Sequence, residues 1–247
     1  MDILHYGCGN VMIPYLIARQ KDTLRDYPIH FIEKDFLETA VEELRSFDLA
    51  ILNENLGDFP TLVDLHANLF NASSATMTGP LKRARYFIDR YDLIQPDERP
   101  FNLNIGALDA LDKCCLAGIP NIFLGEHSCE AQVPESYRRY ITVRATGNPE
   151  RISLYGHNEY TIKFSHLEKV ARTFGYRIIR GPFADFLPFE FTDKLRCIMN
   201  QPSPGCDEHE IIRHFLTDLF QYEYLLLTSD LTSEKRKELS ANGINEP

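Results

Sequence analysis

No C-x-x-C pair, no apolar run long enough to span a bilayer and no excess of positive charge occurs in this chain. Each absence removes a class of function. The six cysteines (Cys8, Cys114, Cys115, Cys129, Cys197 and Cys206) carry no paired spacing, and no basic segment followed by an apolar core marks a secretory signal. A disulfide framework is therefore not expected, and the thiols read as reduced in a cytoplasmic protein. The formal net charge of −10 argues against a nucleic-acid backbone as main partner, because phosphate binding needs a basic surface. A small molecule or a basic protein suits it better, and no membrane association is expected. No internal repeat or low-complexity segment is present.

What remains is an α/β pattern. "IHFIE" (29–33) is a short β-branched and aromatic run, followed by helical spacing in "DFLETAVEELRS" (35–46). "FDLAILNENLGDFP" (47–60) reads as a second strand that ends in Asn53, Glu54 and Asn55. Residues 61–104 mix helical fragments with Ser, Gly and Pro, which predicts a helical insertion. "IGALDALDKCCLAG" (105–118) reads as a helix stopped by Gly118, "IPNIFLGEH" (119–127) as a strand, and "SHLEKVARTFG" (165–175) as a helix with a capping-box spacing from Ser165 to Glu168. "YRIIRGPFADFL" (176–187) reads as a strand and turn, and "HEIIRHFLTDLFQYEYLLL" (209–227) as an amphipathic helix. The expectation is a doubly wound, mostly parallel Rossmann-like sheet with helices on both faces and a helical insertion at about 61–104. That domain would fill 1–200, and 201–247 would form a helical extension with a polar tail.

In such sheets ligands bind beyond the carboxyl ends of the strands. The polar residues collected there are Gly7 and Gly9, Glu33 and Asp35, Asn53 and Glu54, and Glu126 and His127. "HYGCGN" (5–10) is either a cradle that brings backbone N–H groups to a ligand or a plain turn, since Val11 stands where a third glycine would complete the pattern. An acid following such a turn, Glu33 or Asp35, can accept hydrogen bonds from ribose hydroxyls. Asp35 is equally placed to cap the helix beginning at Phe36. Phe36 can flank an adenine ring or join the core. Asn53 offers a carbonyl acceptor, and Glu54 can neutralise a cationic substrate. His127 and Cys129 lack the third member of a nucleophilic triad and the partners of a zinc site, so no metal is expected.

With these segments in hand, the chain resembles the class I S-adenosylmethionine-dependent methyltransferases. More narrowly, it is similar to the family of the mitochondrial complex I assembly arginine methyltransferase and its bacterial relatives. The resemblance lies in "NENLGDFP" (53–60), like that family's Asn-Glu-Leu-Leu-Asp-x-Leu-Pro segment, in "NIGALDALDKCCLAGIPNIFLGEH" (104–127), and in "EYTIKFSHLEKVARTFGY" (159–176). It implies S-adenosylmethionine as small-molecule methyl donor, with Gly7 and Gly9 at its methionine end and Glu33, Asp35 and Phe36 at its nucleoside. Asn53 and Glu54 would face the acceptor, and for a protein arginine Glu54 would pair with the guanidinium. Methyl transfer is an in-line displacement that needs positioning more than a triad. The alternatives are a catalytically silent assembly or scaffold protein, a dinucleotide-dependent oxidoreductase and a Cys–His hydrolase built on Cys129.

Overall fold

The computed structural model describes residues 3–7, 29–67, 79–93, 99–187 and 190–229. Its central sheet has four strands in the order β3 (Leu49–Asn53), β6 (Asn121–His127), β10 (Tyr222–Thr228) and β9 (Arg177–Pro182). Only β3 and β6 pair in parallel, with Leu49 opposite Asn121 and Asn53 opposite Gly125. β10 runs antiparallel to both β6 and β9. Among the described residues, three two-stranded sheets accompany it. β1 (Ile3–Gly7) pairs in parallel with β2 (Ile29–Glu33), while β4 (Leu62–Leu65) with β5 (Phe101–Leu103) and β7 (Arg151–Ser153) with β8 (Asn158–Tyr160) are antiparallel.

The helices are α1 (Val41–Leu44), α2 (Gly79–Tyr91), α3 (Ile105–Ala117), α4 (Phe164–Thr173), α5 (Asp193–Asn200) and α6 (Asp207–Gln221). α3 lies at the centre because "IGALDALDKCCLA" is apolar on nearly every side, and Ala107, Leu108, Ala110, Leu111 and Cys114 are fully buried. It stops at Gly118, whose φ of +74° is a left-handed conformation that costs glycine little. With α2 and α4 it joins the buried side chains of one sheet face, Leu52, Ile122, Leu124, Leu225 and Leu227, in a single core. A second, smaller core joins α5 and α6 to Val133 and Ile141. No helix among the described residues is long and apolar enough to cross a membrane.

The doubly wound, mostly parallel Rossmann-like sheet expected from the sequence is not what forms. The difference lies at "YEYLLLT" (222–228), which reads as the end of the amphipathic helix but is strand β10. α6 stops at Gln221 and its cap, Tyr222, is already extended at φ −78°, ψ 133°, so no turn residue separates helix from strand. The chain re-enters the sheet against the direction of its neighbours and parts β6 from β9. Segment 29–33 is a strand, as expected, but pairs with 3–7 in a separate sheet. The insertion is only partly helical, since β4 and β5 bracket α2 with an antiparallel ribbon. The helix expected over 35–45 breaks into a 3-10 turn (Phe36–Glu38) and α1, with Thr39 extended between them. The ammonium of Lys113 on α3 donates to the carbonyls of Leu37 and Thr39, two acceptors that a continuous helix would otherwise occupy.

Candidate functional site

Acidic side chains gather beyond the carboxyl ends of β3 and β6. β3 ends at Asn53, and Glu54 turns the chain with φ +53°, a left-handed conformation uncommon outside glycine. The turn is held by the Glu54 N–H, which donates to the Gly125 carbonyl at 2.9 Å. A Cβ at Gly125 would stand 2.7 Å from the Phe183 ring and 2.5 Å from the Asn53 amide oxygen. A side chain there would therefore displace Asn53, which lies over β6.

The loop after Glu54 is clamped on both sides. The Gly57 N–H donates to Glu126 Oε2 at 3.1 Å, and its carbonyl accepts from the Tyr160 N–H at 3.0 Å. A Cβ on Gly57 would meet the Tyr160 carbonyl at 2.9 Å, so only glycine lets this loop lie against β8. Farther on, the Gly106 N–H donates to the Pro60 carbonyl at 2.8 Å, and the buried Asn104 amide bridges Thr61, Thr161 and Lys163. The first turn of α3 thus fixes both the loop and the strand that carries Glu159.

Glu126 is buried, 4% exposed, and its other oxygen accepts the His127 N–H at 3.0 Å. Burial pushes its carboxyl up to about 7; the two backbone N–H donors oppose this, and the negative charges of Glu159 and Glu54 add to it. His127 closes β6 with its ring against Tyr222, centroids 3.8 Å apart. Burial lowers the His127 imidazole from its ordinary range, although Asp218, Glu159 and Glu54 pull the other way. The Tyr222 hydroxyl is pushed upward by burial and then by Glu54, Glu126, Asp218 and Glu159. At the rim, His157 Nε2 lies 3.0 Å from Glu159 Oε1 and 3.4 Å from Asp58 Oδ1. Burial and then the Glu159 charge raise the Asp58 carboxyl, with His157 opposing. Among the described residues no lysine or arginine forms an ion pair with Glu54, Asp58, Glu126 or Glu159; the ion-pair partners of the last three are histidines.

Of the expected site residues, Asn53 and Glu54 stand at the end of β3: Glu54 is near enough to Glu126 and Tyr222 for its charge to raise both groups, and Asn53 has its amide oxygen over Gly125. Gly7 ends β1 directly opposite Glu33 at the end of β2, so these two positions are adjacent. Gly9 lies outside the described residues. Asp35 performs the capping role, its Oδ1 accepting from the Leu37 N–H at 2.8 Å. Phe36 packs against the core and stacks on Phe59 with centroids 6.5 Å apart. Cys129 is 2% exposed and its thiol is pushed up to about 12, chiefly by burial, which removes the nucleophile a hydrolase needs.

Two of the site's groups, Glu159 and Tyr222, escaped sequence reasoning. Glu126 stood at a recognised strand end, but its contact with the Gly57 loop had no local signature. Glu159 and Tyr222 gave no signal, one hidden in a short hairpin and the other at the close of an apparent helix. Asp58, His157 and Glu159 bring three potential ligand atoms within 4.8 Å of one another, a grouping distinct from the His127 and Cys129 pair considered from sequence. Neither protein-family models nor curated protein sequences show a match to this chain.

Proposed function

We propose that the chain is an S-adenosylmethionine-dependent methyltransferase of the cytoplasm whose acidic cluster receives a cationic acceptor, the guanidinium of a protein arginine. The observation that carries this reading is the convergence of Glu54, Glu126 and Glu159 from three separate segments, with no lysine or arginine ion-paired to any of them among the described residues. A guanidinium keeps its charge and offers five N–H donors in a fixed plane, so carboxylates arriving from different sides can each accept from it. Asn53, beside Glu54, adds a neutral carbonyl acceptor.

The donor side rests on the first two strands. S-adenosylmethionine, when bound, supplies a methyl carbon on a positively charged sulfur. Gly7, without a side chain, ends β1 opposite Glu33, and both stand at the carboxyl ends of parallel strands. That pairing, a bare backbone beside an acid, suits a ligand carrying ribose hydroxyls. On the acceptor side, the residues orient the guanidinium, shield it from water and take up the proton its nitrogen loses. Orientation of this kind can supply much of the acceleration a displacement needs.

Calorimetric titration of the full chain with S-adenosylhomocysteine, S-adenosylmethionine and NAD tests the reading. Binding of the first two and not of NAD is expected. No S-adenosylhomocysteine binding at millimolar concentration would overturn it and leave a catalytically silent assembly or scaffold protein.

A further inference from the structure

At the edge of the acidic cluster stands a mixed set of donors. Asp58 follows Gly57 in the loop after β3, His157 directly precedes β8, and Glu159 is the central residue of that strand. An extended chain turns residues two apart to the same side, which brings His157 and Glu159 together. His157 Nε2 lies 3.0 Å from Glu159 Oε1 and 3.4 Å from Asp58 Oδ1, and one ligand atom of each residue falls within 4.8 Å of the other two. The backbone holds this arrangement from both sides. The Tyr160 N–H, next to Glu159, donates to the carbonyl of Gly57, next to Asp58, at 3.0 Å. The Leu154 N–H donates to the His157 carbonyl at 3.1 Å, and Arg151 Nε donates to Asn158 Oδ1 at 2.8 Å, so the β7–β8 hairpin is closed around His157. The side chains of His157, Asp58 and Glu159 are 53%, 47% and 22% exposed, which lets an ion reach them from solvent.

We propose that Asp58, His157 and Glu159 bind one divalent transition-metal ion of the zinc class. Bonds of about 2.1 Å from one ion to an imidazole nitrogen and a carboxylate oxygen subtend roughly 90–110° across separations like these, the angles of octahedral and tetrahedral coordination. The gap between Asp58 and Glu159 closes by a small rotation of the half-exposed Asp58 carboxylate. Oxygen ligands alone would suit magnesium or calcium; the imidazole nitrogen turns the preference to zinc. The charge also balances. Two carboxylates and a neutral imidazole match a dication, and among the described residues no lysine or arginine forms an ion pair with either carboxylate. Three protein ligands leave a further position to water, as in open zinc sites. The bound ion ties the loop that carries Glu54 to the β7–β8 hairpin. The inference goes beyond the methyl-transfer reading and does not rest on it.

The test is calorimetric titration of the full chain, stripped of metal by a chelator and dialysed, with zinc chloride and, in parallel, with magnesium chloride. One zinc ion per chain is expected, held at micromolar affinity or tighter, with no uptake of magnesium at the same concentrations. The thermal midpoint should rise with zinc, because the ion binds the folded chain. D58N and H157Q should each weaken zinc binding about tenfold or more and lose most of that rise. The double variant C197S/C206S should keep both, which separates this site from the exposed thiols. Should one ligand variant fail to fold, the other decides. No zinc binding at submillimolar concentration overturns the proposal. So does zinc bound as tightly by D58N and H157Q as by the wild-type chain, or zinc binding lost in C197S/C206S.

Discussion

Gly57 and Glu126, 69 positions apart in the chain, are joined by a hydrogen bond of 3.1 Å from a backbone N–H to a buried carboxyl oxygen. The bond ties the loop that carries Glu54 to strand β6. It also sets a pH dependence of stability. The Glu126 carboxyl moves from an ordinary 4.5 to about 7 on folding, so between those values the folded chain binds the proton that the unfolded chain has lost. Stability from this group is complete below the unfolded value and disappears as pH rises through the folded one. The difference is ~2–4 kcal/mol. Urea unfolding at about pH 5 and pH 8 checks it: E126Q should gain that much relative to wild type at the higher pH, and an unchanged difference would refute it.

Gly57→Ala should destabilise the chain by about 1–3 kcal/mol, because the new methyl meets the Tyr160 carbonyl, a backbone atom that cannot rotate away. Thermal unfolding measures this. A variant as stable as wild type would show that β8 does not press on the loop.

Thiol reagents should separate the cysteines by burial. Cys197 and Cys206 are exposed, whereas Cys114, Cys115 and Cys129 are buried, and burial pushes the Cys114 and Cys129 thiols up to about 12. Mass mapping after brief labelling of the native chain should find Cys197 and Cys206 modified and those three intact. Fast modification of Cys129 would revive the hydrolase reading.

Asp35 and Glu33 should differ in what they contribute. Asp35→Ala removes the acceptor of the Leu37 N–H and should cost about 0.5–2 kcal/mol of stability. Glu33→Ala should instead weaken S-adenosylhomocysteine binding at least tenfold, about 1.4 kcal/mol. Parallel unfolding and binding measurements separate the roles, and unaltered binding by the Glu33 variant would remove the donor site from the end of β2.

What could be read from the sequence follows how local the signal is. β3 and α3 were legible because an unbroken apolar run ending in "NEN" and a helix ending at Gly118 are stretches whose own residues decide their conformation. β10 was not, because "LFQYEYLLL" keeps an apolar pattern compatible with either helix or strand, and pairing with β6 and β9 decides it. Ser165 and Glu168 have capping-box spacing, yet α4 begins one residue earlier, Ser165 bonds to Glu130 and Glu168 pairs with Arg180. Asn53 and Glu54 could be named from the strand end they close. Glu126 and Glu159, the carboxylates gathered near Glu54, come to it through contacts across the fold.

The central claim is tested most directly by incubating the full chain with methyl-labelled S-adenosylmethionine and an arginine-containing peptide, with the same peptide carrying neutral citrulline as control. The account predicts label on the arginine peptide alone. It also predicts that Asn53→Ala and Glu54→Gln lose most of the transfer while still binding S-adenosylhomocysteine as wild type does. Label transfer undiminished in Glu54→Gln, or none from a wild-type chain that binds both donor and peptide, would contradict it.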